Sequence, residues 1–258
     1  MKKLLLMFLV ALLSACASGP GIDSTFTAVS QDSRVRYLVL HYTVLDSVAS
    51  LRVLTQQAVS SHYLIDGAPD FKIYRLVNED RRAYHAGLSS WKGNTSLNAS
   101  SIGIEIVNLA FRETEQGRVW MPFPQEQIDR LIPLIKDIVK RHDIAPDRVL
   151  AHSDIAPQRK QDPGPMFPWK QLADAGLVSW PDEKLVAQRQ NEFERRLPGV
   201  AWFQEKLAEH GFAIAQTGEL DEATRNVVVV FQMKYRPAKF DGTLDAQTAA
   251  ILDVLTSP

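Results

Sequence analysis

The chain is short of most of what marks the specialised protein classes. It has one cysteine, Cys16, among 258 residues, so disulfides within the chain are excluded. It has no surplus of either charge: 29 lysines and arginines stand against 30 aspartates and glutamates, which argues against nucleic acid as a partner. No acidic block points to disorder. Its long apolar run, Leu4 to Leu13, is too short to span a membrane as a mature helix. What remains is ordinary globular composition, 45% hydrophobic and 23% charged, with room for one large domain and a small one.

Lys2 and Lys3 precede the apolar run, which ends Leu13-Ser14-Ala15-Cys16. This resembles the lipobox of a bacterial lipoprotein. The resemblance implies removal of residues 1–15 as a signal peptide and acylation of Cys16, with 16–34 as a lipidated tether. Ala17, in place of Asp, implies an outer-membrane lipoprotein facing the periplasm.

The richest stretch for chemistry runs from His152 to Pro165, His-Ser-Asp-Ile-Ala-Pro-Gln-Arg-Lys160-Gln-Asp162-Pro-Gly-Pro. Its prolines and glycine read as a loop, not a helix, and restrict that loop to few conformations. Arg148 to Ala151 before it reads as a short strand. A histidine and a carboxylate on a rigid loop suit a divalent metal, with further ligands supplied from elsewhere.

Val35 to His41 reads as a buried strand that places His41 at its end, where α/β folds gather functional groups. A helix is expected from Asp46 or Ser47 to about Gln57. Ser61–Ile65 and Phe71–Val77 read as two strands of a hairpin. The stretch Ala83 to Trp91 is dense in aromatics. It reads equally as a core loop or as a cleft wall in which Tyr84, His85 and Trp91 touch substrate. In Ile102-Gly-Ile-Glu105-Ile106, alternation sets the three isoleucines on one face and Gly103, Glu105 and Val107 on the other. Glu105 is then a carboxylate within an apolar strand and needs a partner, either a metal-bound water or a salt bridge.

Apolar positions from Ile128 to Val139 fall at helical spacing, so Gln125 to His142 should be a sheet-covering helix with a kink at Pro133 and His142 as a cap. A short helix is expected from Trp169 to Ala175. Residues 181–197, polar with weak periodicity, read as a linker. Beyond them Gly218-Glu-Leu-Asp221-Glu-Ala-Thr224 recurs as Gly242-Thr-Leu-Asp245-Ala-Gln-Thr248. Each unit is a turn glycine, a buried leucine and a helix N-cap aspartate, which with the Val200–His210 helix gives a three-helix module over 198–258. His210 stands alone near a helix end.

His41, Tyr84-His85-Ala86-Gly87, Ser101-Ile-Gly-Ile-Glu105 and the His152 to Pro165 motif together resemble the type-2 N-acetylmuramoyl-L-alanine amidases, which share their fold with peptidoglycan recognition proteins. The C-terminal repeat is similar to the three-helix peptidoglycan-binding module. The resemblance implies an α/β fold with a central mixed β-sheet flanked by helices over residues 35–180, followed by the small helical domain. It implies one zinc ion (Zn2+) per chain held by His41, His152 and Asp162, with Glu105 as proton acceptor and Lys160 as oxyanion stabiliser. The implied reaction is hydrolysis of the lactyl–alanine amide of peptidoglycan and muropeptides in cell-wall turnover, with a non-catalytic peptidoglycan-binding lipoprotein as the alternative. Some relatives carry a catalytic tyrosine where this chain has Ser61, so Tyr63 receives no catalytic role. Asp154 is the weaker rival to Asp162 as a ligand.

Overall fold

The computed structural model describes residues 22–257, so the expected signal peptide and Cys16 lie outside the described residues. In chain order, β1 (Tyr37–Tyr42) leads through α1 (Ser47–Gln56) to β2 (Tyr63–Ile65) and β3 (Ile73–Arg75). Short strands β4 (Ser90–Trp91) and β5 (Asn94–Thr95) precede β6 (Ser101–Ile106). A hairpin of β7 (Phe111–Thr114) and β8 (Gly117–Trp120) enters α2 (Gln125–His142). Then come β9 (Val149–Ala151), α3 (His152–Ile155), α4 (Trp169–Asp174), α5 (Glu183–Arg195), α6 (Val200–His210), α7 (Glu222–Tyr235) and α8 (Ala246–Thr256).

Five strands form one sheet in the order β3-β2-β6-β1-β9. It is mixed, as expected: β1 runs parallel to β6 and β9, β2 parallel to β6, and only the edge strand β3 is antiparallel. Side-chain alternation divides its two faces. Leu38, Leu40, Ile102, Ile104, Ile106, Val149 and Ala151 pack on one face beneath Ile128, Leu131, Ile135 and Ile138 of α2. Pro133 lies inside α2 without ending it. The expected cap at His142 is not made: Asp143 closes the helix in the left-handed region, while His142 reaches Ser33 Oγ at 2.9 Å and Glu79 at 2.8 Å.

The opposite face carries Tyr37, Val39 and Leu150, and here residues of the C-terminal helices join the core of the sheet. The three strand residues share one buried cluster with Phe203, Leu207, Phe212, Val227, Val228 and Phe231, so α6 and α7 cover the second face of the sheet. From Ser33 onward the chain is one compact unit. The expected linker over 181–197 is largely α5, capped by Asp182, whose side chain accepts from the Lys184 and Leu185 amides. Of its residues only Leu185, Val186, Ala187 and Phe193 are apolar, and none is fully buried. Phe193 meets Trp202 at 5.4 Å, and Arg189 pairs with Asp253 at 3.0 Å.

The C-terminal repeat folds as its sequence suggests. Asp221 and Asp245 each accept from the amide three residues on, at 2.7 and 2.9 Å, capping α7 and α8. A second element of the repeat was not read from the sequence. Buried Gln204 donates to Thr224 Oγ1 at 2.8 Å and accepts from the Gly218 amide at 2.8 Å. Gln232 does the same with Thr248 and Gly242, at 3.0 and 2.9 Å.

Candidate active site

His41 is the last residue but one of β1 and pairs in register with Glu105 of β6, so both project from the second face of the sheet. β9 delivers His152 as the first residue of α3, and the proline-rich loop returns with Asp162. That α3 is a helical turn corrects the all-loop expectation. The first proline, Pro157, comes only after the turn, and the Asp154 carboxylate accepts the Ala151 amide at 2.8 Å. Asp154 is turned away from the site and is not a ligand candidate. These residues line a cleft of about 590 Å³ with Tyr84, His85, Lys160 and, from the C-terminal half, Asn226.

Three donor atoms converge there. His41 Nδ1 lies 2.9 Å from His152 Nδ1 and 3.1 Å from Asp162 Oδ2, and His152 Nδ1 lies 3.0 Å from the same oxygen. The surrounding hydrogen bonds decide where the ring protons sit. Ser101 Oγ donates to the Leu97 carbonyl at 2.6 Å, so it accepts from His85 Nε2 at 3.1 Å. His85 Nδ1 is then bare and accepts from His41 Nε2 at 3.0 Å. Two groups meet His152 Nε2: the Ala86 carbonyl, which can only accept, at 3.3 Å, and the Arg159 guanidinium, which can only donate, at 3.5 Å; the nearer contact puts the proton on Nε2. Both Nδ1 atoms therefore face the carboxylate oxygen as lone pairs, with no proton between them. Such a cluster repels itself unless a cation sits at its centre.

The dimensions suit zinc. Donors at about 2.0–2.1 Å around a tetrahedral ion stand about 3.3 Å apart, a few tenths more than the triangle seen here. Among the described residues, His41, His152 and Asp162 form the one group of three such side chains placed to hold a metal, all of them buried. Burial first, and then the neighbouring His152, pushes His41 down to about 4, which keeps it in the neutral, ligating form.

Glu105 is different in kind. Its Oε1 is 4.0 Å from His41 Nδ1, its Oε2 has no hydrogen-bond partner, and its side chain is 15% exposed. Burial and the Asp162 charge push it well above the ordinary carboxylate range, while Lys160 on the rim pulls the other way. Apart from His41 no basic side chain pairs with it among the described residues, so the salt-bridge alternative is not taken up and Glu105 faces the cleft.

Of the expected substrate residues, Tyr84 is half exposed on the cleft rim. His85 reaches the cleft but is buried and bonded to His41. Trp91 is a correction. It is 1% exposed, outside the cleft, with its ring 5.1 Å from Phe212 and 5.6 Å from His210. A large apolar ring next to Gly211, where a Cβ would come within 2.6 Å of it, is a joint between the two halves of the chain. His210, expected to stand alone, is the other side of that joint. Tyr63 points to the opposite face and donates to Glu79 at 2.6 Å, in keeping with its having no part in the site.

Several contributors escaped the sequence reading. Asn98 Oδ1 accepts the His85 and Ala86 amides at 3.0 and 2.7 Å, and the Arg159 guanidinium binds the Ala86 and Leu88 carbonyls. Gly103 was visible but not understood: a Cβ there would lie 2.5 Å from the His85 ring, so only glycine leaves room for the ring that orients His41.

Comparison with known proteins places this geometry. A family model described as N-acetylmuramoyl-L-alanine amidase matches residues 31–165, and a peptidoglycan binding domain model matches residues 196–252. The chain is 42% identical to N-acetylmuramoyl-L-alanine amidase AmiD of Escherichia coli K12 over 262 aligned residues, covering 95% of this chain and 93% of that protein. The solved complex of AmiD from E. coli with the substrate anhydro-N-acetylmuramic acid-L-Ala-D-gamma-Glu-L-Lys is similar with a TM-score of 0.82 at 41% identity, covering 91% and 93% of the two chains. AmpDh3 from Pseudomonas aeruginosa, in complex with anhydromuramic pentapeptide, gives a TM-score of 0.84 at 41% identity and covers 92% and 97%.

Proposed function

Because the chain belongs to the N-acetylmuramoyl-L-alanine amidase family, we propose that it hydrolyses the amide between the lactyl group of anhydromuramic or muramic acid and L-alanine in peptidoglycan stem peptides. One observation carries the reading: two bare imidazole nitrogens and a carboxylate oxygen converge beside an unpaired buried carboxylate in an open cleft. His41, His152 and Asp162 would hold one zinc ion per chain, which when bound polarises the scissile carbonyl and eases deprotonation of water. Glu105, its affinity for protons raised by burial, accepts the proton of the attacking water and returns it to the leaving alanine nitrogen. Lys160 places a cation on the rim to stabilise the oxyanion. His85 positions His41 through the chain to Ser101 and Leu97, a role distinct from touching substrate. Tyr84 offers its exposed ring to the muramyl or peptide portion.

Anhydromuropeptides are the first substrates to try, since both related complexes contain them. The C-terminal repeat, matched by the peptidoglycan binding domain model, would bring the cleft to the wall. The leader and Cys16 support a lipoprotein of the outer membrane facing the periplasm, held by acylation of that one thiol. Cys16→Ser should release the protein from the membrane fraction, and unchanged fractionation and mass would exclude the anchor. For the activity, purified protein with about one zinc per chain should release L-alanyl peptide from anhydromuropeptide. Lys160→Ala should keep its zinc and lose turnover by about 3 kcal/mol of barrier. Zinc-loaded protein that leaves the amide intact would favour a binding protein instead.

A further inference from the structure

The ligand-bearing segment is held from outside the amidase half. His152 and Asp154 share the single turn of α3, and the Ser153 amide donates to the Asp162 carbonyl at 3.0 Å, so the turn sets both ligands at once. Asp154 is 1% exposed, and its Oδ2 accepts from Lys234 Nζ of α7 at 2.7 Å as well as from the Ala151 amide. Lys234 is itself buried and lies 4.4 Å over the Trp169 ring. Its only carboxylate partner among the described residues is Asp154. Farther along the segment, Gln158 donates to the Ala223 carbonyl at 2.9 Å and accepts from Asn226 Nδ2 at 3.0 Å. α7 thus grips the segment at two points, one of them a fully desolvated ion pair.

Stability alone does not account for that pair, since apolar side chains of similar volume pack such a site as well or better. A directional bond is what it adds. We propose that Lys234 is a positioning residue for the metal site: through Asp154 it fixes the rotation of α3 and with it the approach of the His152 ring, so the C-terminal helices serve the reaction centre as well as the wall. This rests on His41, His152 and Asp162 being the metal ligands.

The test uses the full chain with Lys234→Met, measuring zinc affinity by competition with a chromophoric chelator, and the visible absorption of the Co2+-loaded protein as a record of ligand geometry. Zinc affinity should fall about tenfold or more, as for partners that orient ligands in other metal sites. The cobalt bands should shift, and kcat should drop with KM little changed. Lys234→Arg should recover part of the affinity. Because Lys234→Met strands a buried carboxylate, Asp154→Asn/Lys234→Met serves as the second variant: its thermal midpoint should return toward that of the parent while zinc affinity stays weakened. Parent affinity and an unchanged cobalt spectrum in either folded variant would overturn the proposal and leave the pair as a structural bond. A parent protein that binds no zinc would instead sink the metal assignment on which it rests.

Discussion

A chain ending at Trp180 keeps every proposed ligand and catalytic group, and the division expected from the sequence, with a linker over 181–197, would make it a domain of its own. The structure implies the opposite. Truncation uncovers Tyr37, Val39, Trp91, Leu97, Leu150 and Ile155, all of which share the cluster with Phe203, Leu207, Phe212 and Phe231. Burying each such side chain is worth about 1.5–3 kcal/mol, so exposing the six forfeits about 9–18 kcal/mol. Residual structure in the unfolded chain and cover from nearby loops halve that to about 5–9 kcal/mol. Asp154, stripped of Lys234, adds about 3 kcal/mol as a buried charge without its partner. A domain of this kind holds only about 5–15 kcal/mol in all. The truncated chain should therefore bind a hydrophobic dye, lack near-ultraviolet circular dichroism and melt without a cooperative transition, while the full chain unfolds in one step. A sharp transition for the truncated chain within a few degrees of the full one would refute the shared-core reasoning.

Trp91→Ala should cost about 3–5 kcal/mol in urea unfolding and leave the KM of the folded enzyme unchanged; a raised KM at unaltered stability would return Trp91 to the substrate cleft. Gly103→Ala puts a methyl 2.5 Å from the His85 ring and should cost about 1–3 kcal/mol while weakening zinc binding, so unchanged zinc affinity would break the link from His85 to His41. Glu79 supplies a pH signature. Burial raises it, but Arg141, Tyr63 and His142 bring it down to about 2 from 4.5. A depressed carboxylate stabilises above its unfolded pKa, and that contribution is lost as pH falls from about 4.5 toward 2. Discounted for the half-exposed Arg141, it amounts to about 1–2 kcal/mol. Glu79→Gln should flatten the acid limb of the stability curve by that amount, and identical limbs would remove the ion pair from the account.

Local patterns carried much of this structure. The alternation from Ile102 to Ile106 sorted the two faces of β6, and Asp221 and Asp245 marked helix starts that the structure keeps. The His152 motif brought its ligands to one point because prolines constrain the loop that joins them. What sequence could not show was long-range cover. Trp91 is as aromatic as a cleft wall, and only its placement against Phe212 and Gly211 reveals a joint. α5 hid as a linker because its residues are mostly charged or polar and none is fully buried, so its few apolar positions stand out little from their surroundings. Nothing local marks Lys234, since its partner is eighty residues away in the chain.

The central claim is that His41, His152 and Asp162 hold the metal while Glu105 moves the proton. Glu105→Gln separates these roles, because the amide is nearly isosteric and cannot accept the proton that attack on the carbonyl releases. Zinc content and the rate constant for anhydromuropeptide cleavage should be measured on the same preparation. The account predicts close to one zinc per chain with hydrolysis lowered by about a hundredfold or more. Full activity would reduce Glu105 to a buried structural carboxylate, and loss of zinc would make it a ligand.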